Sequence, residues 1–154
     1  MNLSKDNSLI EIKFKNTLLA IIVKDSYCND GVSFVTPKEA PQQLAYMSHK
    51  TGVEIKPHIH KSAERVINST QEVLVLKKGK LRVDFYESNK KYIMSHILNK
   101  GDVIILMRGG HGFHVIEEVE MIEVKQGPYI GQNDKVRFSG VPMNHDQLIF
   151  SDKS

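Results

Sequence analysis

At 154 residues the chain has room for one domain whose core is large enough to fold without staples. Its 21 Lys+Arg and 18 Asp+Glu are interleaved to a net charge of +3, which leaves no basic stripe for nucleic acid. The single cysteine, Cys28, excludes an internal disulfide framework and a cysteine-based zinc knuckle.

A lone cysteine fits a reducing compartment, so the cytoplasm is the expected location. The first residues lack the basic and apolar regions of a secretory signal. No apolar run approaches the roughly 20 residues that span a bilayer, so no membrane partner is expected.

Short apolar runs rich in β-branched and aromatic residues, broken by Gly, Pro, Asn, Asp and Lys, predict an all-β chain. In chain order the expected strands are Leu9–Lys15, Thr17–Lys24, Gln43–His49, Val53–His60, Glu72–Lys77, Lys80–Glu87, Tyr92–Leu98, Asp102–Leu106, Gly112–Glu117 and Glu120–Lys125. About ten short strands exceed what one flat sheet usually holds. Lys78-Gly79 reads as a hairpin turn, and Asn99–Asp102 and the polar stretch Glu87–Lys91 as two further turns. Asp25–Pro41 reads as a long polar connection, with one possible helical turn at Thr36–Ala40. The stretch after Gly127-Pro128 reads as a loop-rich tail whose Leu148-Ile149-Phe150 docks on a neighbouring surface.

Histidines and one glutamate gather in glycine-framed blocks. Residues at i and i+2 of a strand project to one side, so His58 and His60 would point together, as a chelate requires. Glu72 opens an apolar strand and shares its face with Leu74 and Leu76, which aims its carboxylate inward. Two imidazoles with a carboxylate suit iron, manganese, nickel or zinc, and a third imidazole still leaves an octahedral ion open to substrate. Iron and manganese stand ahead of nickel and zinc, because four-ligand zinc is closed and structural.

The arrangement Gly52, five residues, His58-Ile59-His60, then Glu72 and six residues later Gly79 resembles the first motif of the cupin superfamily. Eleven residues separate His60 from Glu72, where the family usually has three or four. Glu64 stands at the usual spacing but has Gln71, not glycine, seven positions on. Gly101 followed by Met107, Gly109 and His111-Gly112-Phe113 resembles the second motif, with methionine in place of proline and one residue fewer before the histidine. His114 is the rival for that last position.

The resemblance implies a double-stranded β-helix (jelly-roll) barrel. It would be a single cupin domain over residues 1–154, with the motif-bearing barrel at about 43–125. It also implies His58, His60, Glu72 and His111 as ligands of a divalent transition metal. Tyr46, Arg65, Arg108, His114 and Lys125 are candidates for binding substrate at the barrel mouth.

The function so implied is a small metal-dependent enzyme, an oxygenase or isomerase, acting on a small polar or sugar-like substrate. Two alternatives stand beside it. His58-Ile59-His60-Lys61 with the later Gln71 also resembles the nucleotide-sugar isomerases of the cupin group, which need no metal and would place the chain in sugar metabolism. The other alternative is a non-catalytic module that holds a small ligand. A homodimer paired through Leu9–Lys24 is expected, since open strand edges seek cover and two-fold pairs are the commonest closed oligomer. His49, His96 and His145 lie outside both motifs and read as exposed.

Overall fold

The computed structural model describes residues 7–144 and 148–151. His145 lies outside them. The first two elements, β1 (Leu9–Phe14) and β2 (Thr17–Val23), pair antiparallel around a tight turn in which Lys15 takes φ 53°. β2 is almost wholly apolar and buried, because it is covered on both faces. A separate two-stranded ribbon, β3 (Gly31–Phe34) with β4 (Ala45–Ser48), comes next. β3 falls inside the stretch expected to be a polar connection. Thr36–Ala40 forms a turn closed by Ala40 N–H on the Pro37 carbonyl at 3.0 Å, not a helix.

The main sheet is built on β5 (Glu72–Tyr86), a strand of 15 residues. One edge of β5 carries β7 (Val103–Leu106) and then β6 (Tyr92–Asn99). The other edge pairs along its whole length with β8 (Gly110–Lys125). With β2 on the outer edge of β7, the order is β1-β2-β7-β5-β6 with β8 beside β5, all antiparallel and strongly curled into a half-barrel. Among the described residues there is no α-helix, hence none long and apolar enough to cross a membrane, and the tail holds one 3-10 turn at Gly131–Asp134.

The expected hairpin at Lys78-Gly79 is a bend instead. β5 runs through it without reversing, and the register slips against β8 between Leu76 and Leu81. Gly79 sits at φ +81°, and a Cβ there would lie 1.9 Å from the Glu118 carbonyl oxygen. The two strands expected on either side of Glu118 merge in the same way into β8. A bulge and a reversal share the same local chemistry of glycine flanked by lysine, and the continuous pairing with β8 selects the bulge.

The bend turns both halves of β5 towards a common core. Leu74 and Leu76 from one half meet Leu81, Val83 and Phe85 from the other, packed with Ile12, Ile22, Leu98 and Ile104. Each such side chain contributes about 1.5–3 kcal/mol by leaving water. A second cluster, Ile21, Val73, Ile105 and Met107, occupies the opposite face and is covered by Val35, Ala40 and Leu44. The turn between β6 and β7 is tied down by buried Asp102. Its carboxylate accepts from Lys24 Nζ at 2.7 Å, Asn99 N at 2.9 Å and Asp25 N at 3.0 Å, so its charge is fully compensated.

Val53–His60, expected as a strand, is not one. Residues 51–70 are exposed throughout, and their hydrogen bonds are local, such as His58 Nδ1 with the Lys56 carbonyl at 3.0 Å. β8 has no strand on its outer edge among the described residues. Phe113, Val115 and Met121 lie opposite Val83, Leu81 and Leu76 of the core, yet all three are exposed. The concave face therefore lacks a cover on this side.

Candidate functional site

Glu72 opens β5, while His111, on β8, lies opposite Phe85 at the far end of the same strand. Thirteen positions separate Glu72 from Phe85 (85 − 72), which in a flat ribbon would span roughly 40 Å at about 3.3 Å per residue. The curl closes that distance. His111 Nε2–H donates to Glu72 Oε2 at 3.0 Å across the concave face. That hydrogen bond holds the Glu72 carboxyl below the usual glutamate range. Burial pushes the other way, and the charges of His111, Lys135 and Lys125 assist the bond. The pair thus joins an ionised carboxylate to an imidazole whose second nitrogen, Nδ1, is left for other chemistry.

The pair opens on a cleft of about 590 Å³, within the range of small-molecule sites. Gly109, Gly110 and Gly112 give one wall of bare backbone. The segment Asp134–Phe138 forms the opposing lip, with Lys135 Nζ 3.9 Å from Glu72 Oε1 and the Phe138 ring set edge-on to Tyr86 at 5.1 Å. The Tyr86 hydroxyl accepts from Val141 N at 3.0 Å. Burial raises its pKa, and the Val141 N–H partly offsets this.

His111 and His114, rivals in the sequence, lie on opposite faces of β8. His114 also lines the cleft, but it is opposite Arg82, not Phe85, and its Nε2 lies 3.0 Å from the Val141 carbonyl and 3.3 Å from Asp84 Oδ2. Asp84 is fully buried and is held further by Arg82 Nε at 2.8 Å and Ser95 Oγ at 2.5 Å. Arg82 also donates to the Met143 and Pro142 carbonyls at 2.7 and 3.1 Å. This network straps the tail over the outer face. The expected docking of Leu148–Phe150 belongs to it: Ser95 N donates to the Ile149 carbonyl at 2.7 Å, and Phe150 bridges to Ser95. His96, expected at the surface, is buried, with Nδ1 2.6 Å from Ser151 Oγ. The tail that covers it carries no strand periodicity that would have announced this.

The remaining candidates scatter. His58 and His60 stand with their rings 5.2 Å apart in the exposed stretch, away from the Glu72–His111 pair. Tyr46 packs edge-on against Tyr27 in the small ribbon at 5.2 Å. Arg65 is exposed and bonds locally to the Ala63 carbonyl, while Arg108 is exposed beside a separate, smaller cleft. Lys125 lies opposite Glu72 in the β5–β8 ladder and pairs with Asp134 at 2.8 Å, a bond that raises its pKa. It fastens the lip of the cleft and does not line its wall.

Among the described residues no three His, Cys, Asp or Glu side chains converge as a metal set. One carboxylate and one imidazole are in place, against the three or four protein donors a resident ion normally needs. Residues of the cleft that sequence reasoning does not single out include Asp84, Tyr86, Lys135, Arg137 and Phe138. Lys135-Val136-Arg137-Phe138 does alternate charged with apolar, the one signal that this stretch lies along a surface. No protein-family model, no curated protein and no solved structure matches this chain.

Proposed function

We propose that this protein is a small-molecule enzyme of the cupin type, with its reaction centre at Glu72 and His111. In this reading the half-barrel is completed as a jelly roll when Val53–His60 adds to the open edge of β8. Three observations support that closure. The edge lacks a partner among the described residues, Phe113, Val115 and Met121 await a cover, and Val53 and Ile55 are themselves exposed. Lys56 on the segment, and Lys61 just beyond it, complement the acidic run of β8, where Glu117, Glu118 and Glu120 already face Lys78 and Lys80 of β5. Docking brings His58 and His60 to the mouth beside the pair. Three imidazoles and one carboxylate then form a set suited to iron or manganese, with nickel or zinc also accepted.

A bound ion of this kind supplies a Lewis acid for two oxygens of a small polar or sugar-like substrate, as isomerases and oxygenases require. The chain's own residues supply the rest. Glu72 holds His111 in one orientation and takes up a proton, and the glycine wall admits a ligand close to both. The single observation that carries the reading is the 3.0 Å contact across the concave face, made by two of the four residues that the motifs single out.

The same contact favours a second reading, in which the pair works as a metal-free acid and base, as in the nucleotide-sugar isomerases. Elemental analysis of purified protein, with His58→Ala, His111→Ala and His114→Ala compared, separates the two. Near-stoichiometric metal, lost in the first two variants and kept in the third, is the expected result. Metal absent from every sample, with no stabilisation on adding Mn²⁺ or Fe²⁺, overturns the metal reading and leaves the acid–base pair. Metal lost only in His114→Ala would overturn the assignment of His111.

A further inference from the structure

The charges around the cleft do not cancel. Three carboxylates line or adjoin it, and each already has its partner: Glu72 has His111, Asp84 has Arg82 and Asp134 has Lys125. Two cations stand on the lip. Lys135 makes a long ion pair with Glu72 at 3.9 Å, beyond hydrogen-bond reach, and Arg137 pairs with no acid among the described residues. Both extend from one strip of chain towards the same opening. Phe138 follows them and sets the rim of its ring beside Gly110, where a Cβ would come within 3.3 Å of it.

We infer that the cleft takes a small organic anion whose carboxylate or phosphate ester is held by Lys135 and Arg137. Its body lies against Phe138 and the glycine wall, and its reactive end reaches Glu72 and His111. The inference rests on the reading of this cleft as a small-molecule site and specifies its substrate class. The chemistry is consistent at each end. A guanidinium and an ammonium together recognise an oxyanion by charge-assisted bonds, which are strongest in a partly enclosed site. Glu72 and His111 occupy the inner end, and Lys135 and Arg137 the lip, so the anionic group is placed outward and the body of the ligand inward. Lys135 stands next to Glu72, so the anion-binding end and the reacting end are close, which restricts the ligand to a few carbons or a single ring.

The test uses benzoate and phenyl phosphate as probes and benzyl alcohol as the neutral control, measured by calorimetry at low ionic strength on the full chain. At least one anion is expected to bind about tenfold more tightly than the alcohol, and the stronger of the two identifies the headgroup. Lys135→Gln and Arg137→Gln should each weaken that anion about tenfold and leave the alcohol unchanged, while Lys38→Gln, a remote exposed control, should change neither. Both lip residues are exposed, so the variants fold, which a thermal melt verifies. Equal binding of alcohol and anions, no binding of any probe, or anion binding indifferent to both lip variants overturns the inference. Metal content of the lip variants, unchanged from wild type, keeps this result separate from the fate of the Glu72–His111 centre.

Discussion

Replacing Asp84 by asparagine keeps the shape of the side chain and removes the charge on which the outer-face network is built. Arg82, 3% exposed, would then stay buried beside a neutral amide, keeping the Pro142 and Met143 carbonyls but losing the carboxylate. Stripping one partner from a buried pair costs about 3–5 kcal/mol, and the two remaining carbonyl bonds place Asp84→Asn near the lower end. With a urea m-value of about 2 kcal/mol/M, the unfolding midpoint should fall by roughly 1.5 M. The loss should also free the tail, because Val141, Pro142 and Met143 are bound through this network, so tryptic cleavage after Lys135 and Arg137 should accelerate. The double variant Arg82→Met/Asp84→Leu should recover most of the stability, because no uncompensated charge is left inside. A midpoint shift below about 0.5 M for Asp84→Asn, or a double variant less stable than the single, would refute this account of the strap.

Gly79→Ala should destabilise by at least about 2 kcal/mol, since φ is +81° there and the new Cβ would meet the Glu118 carbonyl at 1.9 Å; an unchanged melting temperature would contradict the bend. Glu72→Gln should be less stable than wild type at neutral pH, with the difference vanishing on acidification. The folded pKa of Glu72 is lowered, so its contribution is full above the unfolded value of about 4.3 and is lost as pH falls through the folded value. Urea midpoints of both proteins across a range of about pH 3–7 check this, and a difference independent of pH would show that the His111 bond contributes through shape alone.

Periodicity alone marked the all-β character and nearly every strand of the main sheet, from Leu9 to Lys125, because alternation records which side chains face a core. It also aimed Glu72 inward through its phase with Leu74 and Leu76, while His111 was singled out by the motif resemblance and its glycine frame. Pairing decided what pattern could not. Whether Lys78-Gly79 reverses the chain or bends it depends on a partner strand more than thirty positions later, which no local window contains. The curl that lays Glu72 against His111 is a property of the whole sheet, as is the separation of His111 from His114 onto opposite faces. His96 reads as a surface residue in the sequence, which singles out neither Arg82 nor Asp84; all three are inside because a tail without periodicity folds back over them. A sequence states what each residue prefers next to itself, whereas the burial of charge and the meeting of distant side chains are set by contacts that exist only once the sheet has curled.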